Sequence, residues 1–393
     1  MRPLSPKRHR APGGAHCAGS RRRRDRVGAS ILPKGKQRRT VSLERRKFFR
    51  CPYRKLVCSR QTTDSERITG FNTYSRCDLS RDVVGRVGAK KPHDLERVAV
   101  DTTVQPKAVA HPTDARLMHR ALVKRVGLAK RFGVPLRQNY RRVAKRAAIM
   151  VGRYTHAHQF RRARRALKFL RTRLGRVIRD IERRIDGTPA LADRFQSLLQ
   201  LARRIRFQDH RQRGPKVYSL HAPEVECIGK GKARAPYEFG CKVSIVTPVT
   251  APKGGQFVLH AKALHGNPFD GHSLGPVIAD LEKLTGVETR RIHLDKGYRG
   301  HNHPHKFRVW ISGQVRRVTA PIRREMRRRA AIEPVIGHLK AEHRMERNYL
   351  KGRDGDPANA VLAAAGYNFG LLLRWLERIS RALIAAVLMR PLP

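Results

Sequence analysis

The sequence predicts an α/β protein, in which a mixed sheet is covered by flanking helices and interrupted by a helical hairpin insertion. Three observations lead to this fold class. Strand-like and helix-like stretches alternate from about residue 94 onward. Residues 114–213 have a helical pattern and separate the first strand-like stretch from the next. One strand-like stretch ends in an aspartate and another carries one in its C-terminal half, which is typical of a site near the carboxyl ends of strands.

The first predicted strand is β-branched and alternating, and Asp101 lies in its second half. The second and third are expected to form a hairpin joined by residues 248–255. The predicted strands cover residues 95–104, 239–246, 256–263, 289–295 and 308–311. Helices are predicted over residues 273–284, about 321–343 and about 358–389.

The helical insertion contains the clearest periodic pattern in the chain. Apolar residues recur at gaps of three and four, as in the seam of an amphipathic helix. They are Leu167, Leu170, Leu174, Val177, Ile181 and Ile185. Residues 187–189 (Gly-Thr-Pro) end this helix, and a second helix is predicted through Leu198 and Ile205. The outer face of the hairpin is mostly arginine, which fits either a solvated surface or one that faces DNA.

Charge narrows the range of partners. The 393 residues include 87 Lys+Arg and 30 Asp+Glu, which gives a formal net charge of +57. Such an excess of positive charge repels itself in a compact state unless a polyanion neutralises it, so nucleic acid is the expected partner. The six cysteines have no regular spacing, which excludes a secreted disulfide scaffold.

Targeting signals are not apparent in the sequence. The first thirty residues are rich in arginine and contain no apolar stretch of the signal-peptide kind. The most apolar stretch, residues 371–389, carries four charged residues, so a membrane span is not expected. We therefore expect a cytoplasmic, nucleoid-associated protein. Residues 1–90 show no lasting periodicity and are predicted to be either a basic, disordered arm that grips phosphates or a segment without an evolved fold.

Two acids follow apolar strand residues directly. Asp101 comes after Val98-Ala99-Val100, and Asp295 comes after Ile292-His293-Leu294. Enzymes that cleave or exchange phosphodiesters use two Mg²⁺ ions, and oxygen ligands suit such hard cations. The two aspartates are candidate metal ligands on this basis, although strand-end aspartates are also common in turns and caps.

Glu333 is the third candidate ligand. At about 100° per residue, Lys340 lies within about 20° of Glu333 on a helical wheel, and Arg329 lies about 40° away. Pro334 disfavours the α conformation at Glu333, so either the helix kinks there or a new helix begins there. A carboxylate flanked by two cations would then face one groove.

These residues resemble the acidic blocks of bacterial insertion-sequence transposases of the DDE class. The blocks are Asp101-Thr102-Thr103, residues 295–300 (Asp-Lys-Gly-Tyr-Arg-Gly), and Arg329, Glu333 and Lys340 at intervals of four and seven. The chain is most similar to the family named after insertion sequence five, over roughly residues 94–383. Met326 stands where that family has tyrosine, whereas residues 333–340 and 366–369 also resemble it.

The resemblance implies an RNase H-like catalytic domain that performs cut-and-paste transposition. It implies that Asp101, Asp295 and Glu333 hold two Mg²⁺ ions, for which Mn²⁺ can substitute. The implied partners are double-stranded DNA, as terminal inverted repeats and target, and further copies of the chain on paired ends. The implied phosphate- or DNA-binding residues are Arg329, Lys340, Lys296, Tyr298 and Arg299. The predicted domains are the arm (1–90), the RNase H-like domain (91–113 and 214–345), the insertion (114–213) and a C-terminal helical segment (346–393).

Two alternatives stay open at this stage. The chain can be a non-catalytic DNA-binding protein or an inactive transposase remnant, since composition alone would produce binding. Glu224, Glu226 and Glu238 compete as metal ligands. Cys227 and Cys241 lack the paired spacing of a zinc knuckle, so a zinc site there is disfavoured.

Overall fold

A computed structural model describes residues 91–209, 212, 214–229 and 236–388 of the chain. The predicted arm, residues 1–90, lies outside the described residues, so the two interpretations of it stay open. All elements below belong to the described part.

The described strands form one six-stranded sheet in the order β2-β3-β1-β5-β6, and β4 also pairs with β3. They are β1 (Arg97–Pro106), β2 (Glu226–Gly229), β3 (Tyr237–Pro248), β4 (His260–Leu264), β5 (Arg291–Leu294) and β6 (Val309–Ile311). The central strand β1 runs antiparallel to β3 and parallel to β5, and β5 runs parallel to β6. The sheet is therefore mixed, as predicted.

Helices cover both faces of this sheet. They are α5 (Asp270–Thr285), α6 (Ala320–Arg328), α7 (Ile332–Ala341) and α8 (Gly355–Leu388). On one face, residues of α5 pack with Val98 and Val100 of β1. On the other face, residues of α7 and α8 pack with Ala99. Because successive side chains of a strand alternate between faces, Asp101 lies on the same side of β1 as Ala99, which packs against α7.

Asp101, like Ala99, therefore lies on the α7 face of the sheet. The opposite face, which carries α5, is lined by Val98 and Val100. The alternation of side chains along β1 therefore determines that the Asp101 carboxylate faces α7 and not α5.

The insertion between β1 and β2 contains more helices than the sequence indicated. It comprises α1 (Asp114–Arg131), α2 (Arg141–His156), α3 (Phe160–Ile185) and α4 (Pro189–Phe207). The predicted helical hairpin corresponds to α3 and α4. The insertion was predicted to be only this hairpin, which is wrong, because two more helices, α1 and α2, precede it. The apolar residues of all four helices form one hydrophobic cluster, which is separate from the two clusters of the sheet.

The break between α3 and α4 follows from its sequence. Gly187 has a φ of +82°, a left-handed conformation that costs glycine little. Pro189 is at the start of α4, where its missing N–H is not needed. The predicted seam of α3 is confirmed at Leu170, Leu174 and Ile181, which are fully buried.

The predicted helix over residues 321–343 is divided in two. A 3₁₀ turn, Arg329–Ala331, separates α6 from α7. Glu333 lies in the first turn of α7, and Pro334 follows it there, where proline is tolerated. Of the two alternatives that Pro334 left open, a new helix that begins beside Glu333 is therefore the one observed.

The third predicted strand is shorter than expected. Residues 256–259 were predicted to be extended and paired, yet β4 begins at His260. The side-chain amide of Asn368 on α8 donates to the Val258 carbonyl and accepts from the Val258 N–H, both at 2.8 Å. A side chain of a distant helix thus replaces the neighbouring strand.

Among the described residues, none of the helices combines the length and the apolar character that a bilayer crossing requires. The longest, α8, has arginine and glutamate side chains along its second half.

Candidate active site

The centre of the site is Asp101 on β1. Its side chain is 21% exposed, and its Oδ1 accepts a hydrogen bond of 2.7 Å from the Thr102 N–H. It pairs in register with Ile245 of β3 on the antiparallel side. The carboxylate is therefore fixed by strands on both sides of it and faces α7.

Asp295 lies beside Asp101 across the parallel strand pair. The register pairs Ala99 with His293, and two residues further along each strand are Asp101 and Asp295. Asp295 keeps an extended backbone (φ −80°, ψ 168°), so the alignment continues to it. Neighbouring strands are about 4.8 Å apart, which makes these two aspartates lateral neighbours.

Glu333 reaches the same place from α7, and Arg329 connects it to Asp101. One guanidinium nitrogen of Arg329, Nη2, lies 3.2 Å from Oε1 of Glu333. The other, Nη1, lies 3.8 Å from Oδ2 of Asp101. Arg329 and Glu333 are four residues apart and the backbone between them is helical, so both side chains lie on one side of α7.

The charges of Asp295 and Glu333 both act on Asp101, so the three carboxylates are near one another. The pKa of Asp101 is raised to about 6, mainly by burial, and also by the charges of Asp295 and Glu333. The Thr102 N–H and the Arg329 guanidinium act in the opposite direction and lower it. At neutral pH, Asp101 is thus ionised at a cost in free energy, and a bound cation would remove that cost.

The donor set fits a hard divalent cation. All three groups are carboxylates, and they come from β1, from the end of β5 and from α7. Their oxygen atoms do not all lie within 4.8 Å of one another, as the ligands of a single ion would. Within the described residues, the only group of three ligand atoms that meets this limit is at Cys241, His265 and Asp356. A wider set is compatible with a pair of ions about 3.5–4 Å apart.

The predicted phosphate-binding cations lie around these acids. Lys340 is half-buried on α7, seven residues from Glu333, so it lies on the same side of that helix. Lys296 and Arg299 are exposed in and after the 3₁₀ turn that follows Asp295. Cations are thus neighbours of Asp295 along the chain and of Glu333 along α7.

The prediction that Tyr298 lines a DNA groove is wrong. Its side chain is 1% exposed and packs in the cluster between the sheet and α5. The 3₁₀ turn Lys296–Tyr298 directs the ring inward, away from the surface that carries Lys296. Burial and the nearby charge of Asp101 raise the pKa of its hydroxyl, so Tyr298 is a neutral phenol. It packs on the α5 side of the sheet, opposite the Asp101 carboxylate.

The competing acids lie at the other end of the sheet. Glu226 pairs with Gly240 in the register of β2 and β3, and Glu238 is on β3 itself. Glu224 lies 3.4 Å from Lys107, which follows β1. Gly240 pairs with Pro106, five residues along β1 from Asp101, so Glu226 and Glu238 lie away from the candidate site.

A network that the sequence did not reveal holds α6 on the sheet. Glu325 accepts hydrogen bonds from Arg291 at 2.7 Å and from the imidazole of His293 at 3.1 Å, and it lies 3.3 Å from Arg97. Burial lowers the pKa of His293, so the imidazole is neutral and donates to the carboxylate. Met326, next to Glu325, is half-buried. The network fixes the helix that leads directly to Arg329.

Comparisons with known proteins give one partial match. No protein-family model matches the chain, and no solved structure matches it. The chain is 59% identical over 75 residues to a Rhizobium meliloti protein, "Uncharacterized protein ORF8 in nfe locus". The match covers 19% of this chain and 36% of that protein, and the relative's name states no activity.

Proposed function

We propose that this chain is a DDE-class transposase with an RNase H-like core, which cleaves DNA and transfers strands at the ends of an insertion sequence. The observation that carries the proposal is the convergence of Asp101, Asp295 and Glu333 around Arg329. The mixed sheet, with its central strand beside one antiparallel and one parallel neighbour, supports an RNase H-like core. The sequence spacing of Arg329, Glu333 and Lys340, which is that of the resemblance, supports the same proposal.

In this mechanism, the three carboxylates would hold two Mg²⁺ ions, which would supply Lewis-acid stabilisation for the attacking and leaving oxygens. Asp101 and Asp295 present adjacent oxygens from parallel strands, and Glu333 closes the site from α7. In the absence of DNA, the positive charge of Arg329 offsets the negative charges of Asp101 and Glu333. When DNA binds, the guanidinium can bind a phosphate oxygen. Lys340, Lys296 and Arg299 position the DNA backbone.

A cleavage assay tests this proposal. The substrate is a duplex made from the DNA that flanks the gene, with terminal inverted repeats where that DNA contains them. We expect nicks with free 3′ hydroxyls in Mg²⁺ or Mn²⁺ and none in EDTA. Asp295→Asn should reduce nicking by about 10³-fold while DNA affinity stays within a few-fold, because an exposed aspartate contributes to the metals and not to binding.

Asp193→Asn, an exposed aspartate on α4, is the matched control and should nick like the parent. Equal nicking by Asp295→Asn and the parent would refute the catalytic assignment. A parent chain that binds this DNA without any metal-dependent nick would favour the alternative, a non-catalytic DNA-binding protein or inactive remnant.

Helices α2 and α3 are proposed as a DNA-binding surface. Helix α2 contains no acid, and its exposed cations include Arg142, Lys145, Arg146 and Arg153. The first half of α3 adds Arg161, Arg162, Arg164 and Arg165, all exposed. The positive charges on these two packed helices repel one another. A phosphate backbone bound along the surface would neutralise them.

The salt dependence of binding tests this surface. Replacing Arg142, Lys145 and Arg146 with alanine should reduce the slope of log K against log salt by about 3, because each phosphate contact contributes about 0.9. The control replaces Arg374, Arg378 and Arg381 on α8, which removes the same charge. If both triple variants change the slope equally, net charge and not this surface governs binding.

We also propose that the chain works as a homo-oligomer through α8. The core-facing side of α8 contains Ala360, Ala363 and Tyr367. On the opposite side, Phe369 and Leu373 are 52% and 66% exposed. The same stripe includes Leu362, Leu376, Leu383 and Ile384, which are exposed too. A helix that is apolar on two sides needs a second partner for the outer side.

Light scattering measures this association. Leu373→Glu should shift the parent's oligomer toward monomer, since it places a charge in the centre of the stripe. Thr172→Glu, an exposed residue of α3, is the control and should leave the mass unchanged. A parent chain that is monomeric at micromolar concentration contradicts the proposal.

A further inference from the structure

A second group of metal-ligating side chains lies at the far end of β3. Cys241 on β3, His265 just after β4, and Asp356 in the first turn of α8 each bring one ligand atom within 4.8 Å of the other two. Cys241 pairs with Gln105, four residues along β1 from Asp101. At about 3.3 Å per residue, this group lies about 13 Å from the candidate active site.

The distance between the sulfur and the nitrogen of this group matches a tetrahedral zinc site. Zn–S bonds are about 2.3 Å and Zn–N bonds about 2.0–2.1 Å, so a shared tetrahedral ion separates sulfur from nitrogen by about 3.5 Å. Cys241 Sγ and His265 Nδ1 are 3.6 Å apart. A thiolate and an imidazole select zinc over magnesium.

Asp356 is already oriented by its neighbours. Lys107 Nζ and Asn348 Nδ2 donate to its Oδ1 at 2.8 and 2.7 Å. Neither bond ends on Oδ2, which is left for a metal ion. Metal-binding carboxylates usually have outer hydrogen bonds of this kind, which fix their orientation.

Glu226 lies next to this group but is not one of the three side chains whose ligand atoms lie within 4.8 Å of one another. Its Oε1 accepts the N–H of Gly266, the residue after His265, at 2.7 Å. Its Oε2 is buried and has no hydrogen-bond partner. A buried carboxylate oxygen without a partner costs free energy, and a cation removes that cost.

The side chains around this group carry a net negative charge, which favours binding of a divalent cation. Three carboxylates, Glu224, Glu226 and Asp356, lie around Lys107 and Cys241. Three negative charges and the one positive charge of Lys107 leave a net charge of −2 when the thiol is neutral. Zinc binds the thiolate, which releases a proton and adds one more negative charge, so a divalent ion neutralises two of three net negative charges.

We propose that Cys241, His265 and Asp356 bind one Zn²⁺ ion, whose fourth position is open on the side of Glu226. The ion would tie the β3–β4 end of the sheet to the start of α8. This site does not depend on the proposed transposase activity, because it shares no residue with the acids around Arg329.

Metal analysis of the purified full chain tests the proposal. After growth with zinc and dialysis against metal-free buffer, we expect about one zinc per chain. His265→Ala and Cys241→Ala should each lower this content at least fivefold. His265 is only half-buried, so its replacement is tolerated even if the Cys241 variant does not fold.

Two control variants separate this site from the other cysteines. Cys227→Ala should retain the zinc, as should a variant in which Cys17, Cys51, Cys58 and Cys77 are all alanine. A zinc chelator should lower the melting temperature of the parent and have no effect on His265→Ala. A folded parent without zinc, or His265→Ala and Cys241→Ala variants that keep the parent's zinc, would overturn the proposal.

Discussion

Asp101→Asn is expected to abolish metal-dependent cleavage and at the same time to stabilise the folded chain. Cleavage should fall by about 10³-fold or more, because the variant removes a charged ligand from the centre of the site. The stability gain has a separate cause. Burial and the charges of Asp295 and Glu333 raise the pKa of Asp101 to about 6 from an ordinary 3.8, so its ionisation opposes folding.

The sign of the pH dependence follows from this direction. A carboxyl whose pKa is raised in the fold stabilises the protein when protonated, and that stabilisation is lost as the pH rises from about 4 through about 6. The free energy of unfolding of Asp101→Asn should therefore exceed that of the parent by about 1–2 kcal/mol at pH 7.5 in EDTA. The gain should shrink as the pH falls toward 4.

Denaturant unfolding at several pH values, without divalent ions, measures this difference. Asp193→Asn on α4 is the control and should match the parent at each pH. An Asp101→Asn variant that is less stable than the parent at pH 7.5 would mean that the carboxylate is well compensated by Arg329. The site would then have no need of a cation.

The placement of the acids could be predicted from the sequence because it depends on local rules. Asp101 and Asp295 each follow a short apolar run, and the parallel register of β1 and β5 brings these two positions side by side. The spacing of Arg329, Glu333 and Lys340 required only helical periodicity. The break before α7 agrees with this, since proline is tolerated in a first helical turn.

What the sequence did not reveal depends on contacts between distant residues. Residues 256–259 have a strand-like composition, but Asn368, 110 residues away, satisfies the backbone of Val258. Tyr298 looked like a surface aromatic because its neighbours are Lys296, Gly297 and Arg299, yet a short turn buries it. Cys241 lacked a second cysteine nearby in sequence, and its neighbours His265 and Asp356 come from other elements. No local pattern identifies such groups.

Arg329→Ala is expected to reduce both cleavage and stability, and Mg²⁺ should restore only the stability. The guanidinium is the positive charge between Asp101 and Glu333, at 3.8 and 3.2 Å. Without it the carboxylates repel each other, and the free energy of unfolding in EDTA at pH 7.5 should fall by about 1 kcal/mol. A divalent ion bound by the same carboxylates compensates their charge, so the deficit should disappear in Mg²⁺.

Cleavage should nevertheless stay about 10²-fold below that of the parent in Mg²⁺, because the ion cannot replace a group that positions a phosphate oxygen. Arg329→Lys should recover part of the activity, since it keeps the charge and loses the two-pronged geometry. Arg327→Ala, an exposed neighbour on α6, removes the same charge and should change neither quantity. A stability deficit of Arg329→Ala that is equal in EDTA and in Mg²⁺ would show that no ion binds beside Glu333, and the metal-dependent mechanism would fail with it.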